Sequence, residues 1–259
     1  MSDYFVVIPA RHAATRLPGK PLLEIAGKSM IRRVWERASG AGARHVLIAT
    51  DDARIADHVR GFGADVAMTS AEHPSGTDRL AEVARQRGWS DATIVVNVQG
   101  DEPLIPAAVI DQVAANAAGD AGVVAATLAE ALTDPARLFD ANVVKVVRDA
   151  NQRALYFSRA PIPYARDHFK LGVLPQQLPQ PALWLRHIGI YAYRVGMLHR
   201  YVTWPRHPLE AIESLEQLRI LGMGERIHVD LACADVPGGV DTPDDLARVR
   251  ALFASSLES

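Results

Sequence analysis

Cysteine is nearly missing from this chain: Cys233 stands alone among 259 residues. No internal disulfide can therefore brace the fold, and the composition suits a reducing compartment. An excess of charge of one sign is missing too. Lysine and arginine number 28 against 30 acidic residues, which removes any general pull towards nucleic acid or an anionic membrane. An anion site, if present, must be local. No apolar run approaches the roughly 20 residues needed to cross a bilayer, and Met1-Ser2-Asp3 carries no basic stretch ahead of the first apolar run, as a secretion signal would. A soluble, cytoplasmic protein with neither nucleic acid nor membrane as partner is expected. The GxGxxG fingerprint is also missing after the first apolar run, which counts against a dinucleotide redox enzyme.

What is present is an apolar content of 49%, ample for one large α/β domain or two small ones. Short apolar runs recur at Phe5–Ile8, Val46–Ala49, Val66–Met68, Thr93–Val98 and Gly122–Leu128. Amphipathic segments of helical length, such as Met30–Ala41 and Thr77–Arg87, lie between them. That alternation predicts βαβ units and a mostly parallel sheet. From Asn142 the pattern changes to β-like segments at 143–147, Ala154–Ser158 and Ile188–Tyr193, joined by a proline-rich stretch from Pro161 to Pro181. This reads as an inserted lobe over 142–225, with an apolar arm carrying Phe169, Leu171, Leu174, Leu178 and Trp184. The remaining parts, 1–141 and 226–259, read as a nucleotide-binding α/β domain. A helix over Pro208–Leu221, a strand over Ile227–Ala232 and a final helix from Pro243, capped by Thr242, complete the expectation.

Four turns carry the chemistry. Arg11, Arg16 and Lys20 surround Gly19 just after the first strand, with Pro18 and Pro21 stiffening the loop. Open α/β sheets bind ligands at such carboxyl ends, and a stiff loop loses little entropy on binding a polyphosphate. A solvated basic loop is the plain alternative. Asp101, in Gln99-Gly100-Asp101-Glu102-Pro103, closes the most β-prone run. It suits a magnesium ion that keeps water and phosphate oxygens in its shell, or simply an aspartate bonding its own turn. Asp241 stands before the last helix and supplies a second carboxylate, or part of a capping turn. Ser75-Gly76-Thr77-Asp78-Arg79 opens a helix whose bare amides suit an anion, although Thr77 reads first as a plain N-cap. Together these are the parts needed to move a nucleotidyl group.

The segments 8–11 (IPAR), 15–22 (TRLPGKPL), 75–79 (SGTDR), 97–103 (NVQGDEP), 156–159 (YFSR), 186–191 (RHIGIY) and 239–243 (GVDTP) resemble the 3-deoxy-manno-octulosonate cytidylyltransferases, in order from residue 4 to residue 252. The resemblance implies a Rossmann-like nucleotidyltransferase fold with an inserted, smaller β-rich lobe. It implies transfer of CMP from CTP to the acid sugar 3-deoxy-manno-octulosonate (Kdo), with release of pyrophosphate, in the pathway to lipopolysaccharide. By position, Ala10, Arg11, Arg16, Lys20, Ser75, Gly76 and Arg79 match the nucleotide site, with Arg11, Lys20 and Asp101 the catalytic set. Asp101 and Asp241 match the magnesium ligands, while Gln99, Arg159, His187, Tyr191 and Glu210 match the sugar pocket. Of Glu210, Glu213 and Glu216, spaced along one expected helix, only Glu210 is assigned to sugar and the others to solvent. The family implies a homodimer built through the lobe. Ala14 replaces a serine common in the family, and the segment 168–185 matches only loosely. A CMP-sialate synthetase is the nearest rival within the same chemistry, against which HIGIY argues; a catalytically silent nucleotide-binding module is the rival from another class.

Overall fold

A computed structural model describes residues 3–12, 17–170, 172–179 and 183–255. In chain order the strands are β1 (Tyr4–Ala10), β2 (Glu24–Ile25), β3 (Lys28–Ser29), β4 (His45–Thr50), β5 (Asp65–Met68), β6 (Ile94–Asn97), β7 (Ala125–Ala131), β8 (Lys145–Arg148), β9 (Ala154–Ser158), β10 (Leu185–Arg194) and β11 (Ile227–Leu231). The helices are α1 (Met30–Ser39), α2 (Ala53–Gly61), α3 (Gly76–Arg87), α4 (Ala107–Gly119), α5 (Pro135–Phe139), α6 (Val195–Tyr201), α7 (Pro208–Glu213), α8 (Gln217–Gly222) and α9 (Pro243–Ser255).

The main sheet runs β11-β7-β10-β6-β1-β4-β5. All its pairings are parallel except those of β10, which runs antiparallel between β7 and β6. Val6, Val7 and Ile8 in β1 are fully buried, as a central strand covered on both faces must be. Val6 and Ile8 pack with Ile31 and Val34 of α1 and Val109 and Val113 of α4, while Val7 packs with Leu80 and Val83 of α3. The alternation read from the sequence therefore becomes a sheet sandwiched between helical layers. β2 and β3 pair separately as a small antiparallel ribbon.

The 142–225 stretch is shared between two structures. β8 and β9 form an antiparallel extension on β10, but β10 itself is built into the main sheet, so the boundary expected at 142 cuts across continuous pairing. Lys145 in β8 is fully buried, and its ammonium donates to the carbonyls of Asp140, Val143 and Arg159 at 2.9, 2.5 and 2.6 Å. Phe169, Leu178 and Trp184 of the expected apolar arm bury against Leu132 and Leu138 as a small core of their own, while Leu174 stays exposed. Leu171 lies outside the described residues.

Two helical expectations are corrected. The helix expected over Pro208–Leu221 is two helices, broken where Ser214 turns left-handed at φ 52°. α3 is capped by Ser75, whose Oγ accepts from the Asp78 amide, so Thr77 is not the cap. It lies two residues too far in, and its hydroxyl reaches elsewhere.

Candidate active site

Parallel pairing places the carboxyl ends of β1 and β6 side by side, and antiparallel β10 returns Tyr191 opposite Asn97 at the same end. Residues far apart in sequence therefore meet. A cavity of about 260 Å³ is lined by Pro9, Ala10, Arg11, Lys20, Pro21, Gly76, Gln99, Gly100 and Asp101. Gly100 is obligatory there, because a Cβ at this position would lie 2.7 Å from the Pro9 carbonyl oxygen. The basic loop is closed by Gly19, left-handed at φ 67°, whose amide donates to the His12 carbonyl at 3.2 Å.

Within this cavity the Lys20 ammonium donates to Asp101 Oδ2 at 2.6 Å and to Asp241 Oδ1 at 3.1 Å. The convergence has a backbone cause: the Val240 amide donates to the Asp101 carbonyl at 2.9 Å, clipping the two turns together. Burial works against the Lys20 charge, but Asp101 and then Asp241 outweigh it and hold its pKa above the ordinary lysine value. Arg11 is anchored by donating to the carbonyls of His73 and Ser75 at 2.6 and 3.2 Å. The two carboxylates that reach this one cation are hard oxygen donors of the kind magnesium takes, while no group of three or more His, Cys, Asp or Glu is gathered for a metal among the described residues. Magnesium commonly takes one or two carboxylates and completes its shell with water and phosphate.

A second cavity of about 300 Å³ shares Gly76 and Gln99 with the first and continues to Thr77, Asn97, His187, Tyr191, Tyr193, Tyr201 and Glu216. Its floor is aromatic, with the Tyr191 and Tyr193 rings parallel to within 2° and centred 5.4 Å apart. His187 lies 5.3 Å from the Tyr191 ring centre. Burial, followed by the charge of Arg186, pushes the His187 pKa down to about 3, so its imidazole is neutral. Asn97 Oδ1 and the Tyr201 hydroxyl are buried without a hydrogen-bond partner among the described residues. Polar groups left this way beside a cavity are suited to a hydroxylated ligand.

Of the expected site residues, Ala10, Arg11, Lys20, Gly76, Gln99, Asp101, His187 and Tyr191 line these joined cavities, with Asp241 beside Lys20 and Ser75 capping the helix that Gly76 opens. Arg16 lies outside the described residues. Arg79 does not reach the crevice: it is fully buried and donates to Thr69 and, at 3.1 Å, to Asp51. Arg159 spends its guanidinium on the carbonyls of Ala141, Glu213 and Ser214. Glu210 is buried and takes a bidentate bond from Arg219 at 2.6 and 2.8 Å. The helix break at Ser214 explains these shifts. It turns Glu210 inward to Arg219 and brings Glu216, expected in solvent, to the cavity wall, where it accepts from Thr77 Oγ1 at 3.1 Å. Burial raises the Glu216 pKa despite its bonds to Thr77 and Ser75. Glu213 accepts from the Ser158 hydroxyl at 2.6 Å. Glu216, Tyr193, Tyr201 and Asn97, the last inside the 97–103 segment, line the cavity without a role read from the sequence; no spacing signal marks Glu216 or Tyr193, because a bend and a strand register place them.

The sequence profile described as cytidylyltransferase matches residues 5–227. A 3-deoxy-manno-octulosonate cytidylyltransferase of Cellvibrio japonicus is 60% identical over 97% of this chain and 98% of its own. That of Saccharophagus degradans is 56% identical over 98% and 100%. A solved CMP:2-keto-3-deoxy-manno-octonic acid synthetase complexed with CTP superposes with a TM-score of 0.88 at 42% identity, covering 98% of this chain and all of that one. A 4-diphosphocytidyl-2C-methyl-D-erythritol synthase shares the fold, with a TM-score of 0.63 at 14% identity. With the crevice, the paired aspartates and near-complete coverage in agreement, this chain belongs to the cytidylyltransferase family, among the 3-deoxy-manno-octulosonate cytidylyltransferases.

Proposed function

We propose that this chain transfers CMP from CTP to the anomeric hydroxyl of Kdo, forming CMP-Kdo and pyrophosphate. The observation that carries this reading is the Lys20 ammonium held between Asp101 and Asp241, in a cavity that also holds Arg11 and opens directly onto an aromatic-floored pocket. A charged end suits the triphosphate, and the adjoining end suits a polyhydroxylated sugar.

In the reaction the anomeric oxygen attacks the α-phosphorus, the bond from that phosphorus to the β-phosphate oxygen breaks, and the hydroxyl proton passes to water. Arg11 and Lys20 compensate charge on the departing pyrophosphate, which is where such donors act most strongly. Gly100, packed against the Pro9 carbonyl, shapes the wall that the phosphates meet, and the helix start at Ser75 presents amides to the same space. Asp101 and Asp241 would hold a magnesium ion, which would supply further positive charge for the transfer. His187, Tyr191 and Gln99 orient the sugar, holding its hydroxyl in line.

The assignment extends to lipopolysaccharide synthesis, the use for an activated Kdo, and to the cytoplasm, where CTP is available. No helix among the described residues is long and apolar enough to cross a membrane. A homodimer is part of the proposal: a cavity of about 530 Å³ lined by Val146, Val147, Pro163, Leu183, Leu185 and Leu231 opens beside the β8–β9 extension, and Leu183 is 63% exposed. A second copy covers such an apolar face economically.

Mixing the protein with CTP, magnesium and Kdo and following pyrophosphate tests the central reading. Release that depends on all three supports it. Release with a sialic acid but not with Kdo selects the CMP-sialate alternative, and no release with either leaves a binding module.

A further inference from the structure

We propose that Thr127 is a positioning residue that fixes His187 as its Nε2-protonated tautomer, leaving Nδ1 as a hydrogen-bond acceptor at the sugar pocket. The pocket's use for sugar rests on the function proposed above; the tautomer does not.

Thr127 lies on β7, fully buried, under the point where the β7–β10 register slips between Ile188 and Tyr191. Irregularities of this kind re-aim side chains at functional sites. The Thr127 hydroxyl fills the gap: its Oγ1 is 2.7 Å from the Ile190 carbonyl oxygen, 3.0 Å from that of Ile188 and 3.0 Å from His187 Nε2. A hydroxyl has one proton to give, and the two carbonyls can only accept. The proton therefore goes to the carbonyls, and the oxygen lone pairs face Nε2, which must carry hydrogen to complete the bond. A neutral imidazole has one N–H, so Nδ1 is bare. Nδ1 has no hydrogen-bond partner among the described residues, and the ring borders the cavity. Phe157, edge-on at 5.0 Å, and Tyr191 at 5.3 Å hold the ring plane.

The consequence is a rule about what occupies this spot. A bare nitrogen accepts from a hydroxyl and repels a carboxylate, so the ligand turns a hydroxyl towards His187 and keeps its acid group elsewhere. Thr127, which never touches the ligand, sets that choice.

The test uses the full-length protein with ¹⁵N-labelled histidine, the His187 signal being assigned through His187→Gln. The expected spectrum shows a neutral ring protonated at Nε2 and bare at Nδ1, from pH 8 to pH 5. Thr127→Val removes the acceptor: the tautomer balance shifts towards Nδ1–H, and the KM for Kdo rises about tenfold, the size of one good hydrogen bond. The KM for CTP and kcat stay within about twofold of wild type. Thr127→Ser restores both spectrum and KM. An Nδ1-protonated or doubly protonated His187 at neutral pH overturns the proposal, as does a Thr127→Val protein with unchanged spectrum and KM. Should Thr127→Val not fold, the wild-type and Thr127→Ser spectra decide. Absence of turnover with Kdo strikes the proposed function and leaves the spectroscopic result standing.

Discussion

The two ends of the crevice solve different problems with different chemistry. At one end Lys20, Arg11, Asp101 and Asp241 bring four charges together, and the carboxylates keep part of their surface in water, with side chains 30% and 57% exposed. At the other end, beyond Gln99, His187 is neutral, Glu216 is pushed towards its protonated form, and tyrosine rings make the floor. Charge is compensated in one place and shape is recognised in the other. Ion pairs in a wet cleft can exchange partners at small cost, whereas buried neutral groups discriminate by leaving polar atoms unpaired when the wrong ligand enters.

The sharpest way to break this contrast is at the charged end. Asp101→Asn removes one of the two carboxylates that converge on Lys20, and kcat for pyrophosphate release is expected to fall about 10³-fold with little change in the KM for Kdo. Glu210→Ala attacks the fold instead, by stranding Arg219 in a buried pair. A loss of about 3 kcal/mol in denaturant unfolding is expected, with near-normal kcat per folded molecule; a stable protein with a greatly raised Kdo KM would return Glu210 to the sugar. Lys20→Ala should lower kcat about 100-fold, measured at saturating CTP. At the neutral end Glu216→Gln should cost about tenfold in the KM for Kdo and spare CTP. The most gradual effect concerns acid. His187 has a folded pKa near 3 against 6.5 in the unfolded chain, so the unfolded state binds more protons below pH 6.5. Its contribution to stability is complete above pH 6.5 and is lost as pH falls towards 3, by at most about 1.4 kcal/mol per pH unit. His187→Gln should flatten the Tm profile across that window relative to wild type.

The same contrast governs what the sequence could reveal. Arg11, Lys20 and Asp101 sit in short turns that follow apolar runs, so strand ends and charged turns announce them together. The Asp241 turn needed only the parallel winding to arrive beside them. At the neutral end nothing local marks Glu216. Its place depends on Ser214 adopting a left-handed conformation that residues other than glycine rarely take, and the family match, read onto one unbroken helix over 208–221, sent Glu210 to the pocket instead. β10 was legible as a strand but not as the antiparallel insertion between β7 and β6, because periodicity carries no strand order. α4, an alanine-rich helix with weak amphipathic contrast, and the short α6 gave little periodic signal against their neighbours. Arg79 and Arg159 read as ligands because charge is visible in sequence, while the internal carbonyls and carboxylate that absorb it are not.

Lys145 carries one more implication. Its ammonium is sealed among three carbonyls drawn from a loop, a strand entrance and the residue that follows β9. None of those oxygens can be exposed singly without stranding a positive charge in a dry interior, so the amides of the β8–β9 hairpin and of the 140–143 loop should exchange with deuterium at one common rate. The footing of the β8–β9 extension then opens all at once or stays shut, a cooperative unit smaller than the protein.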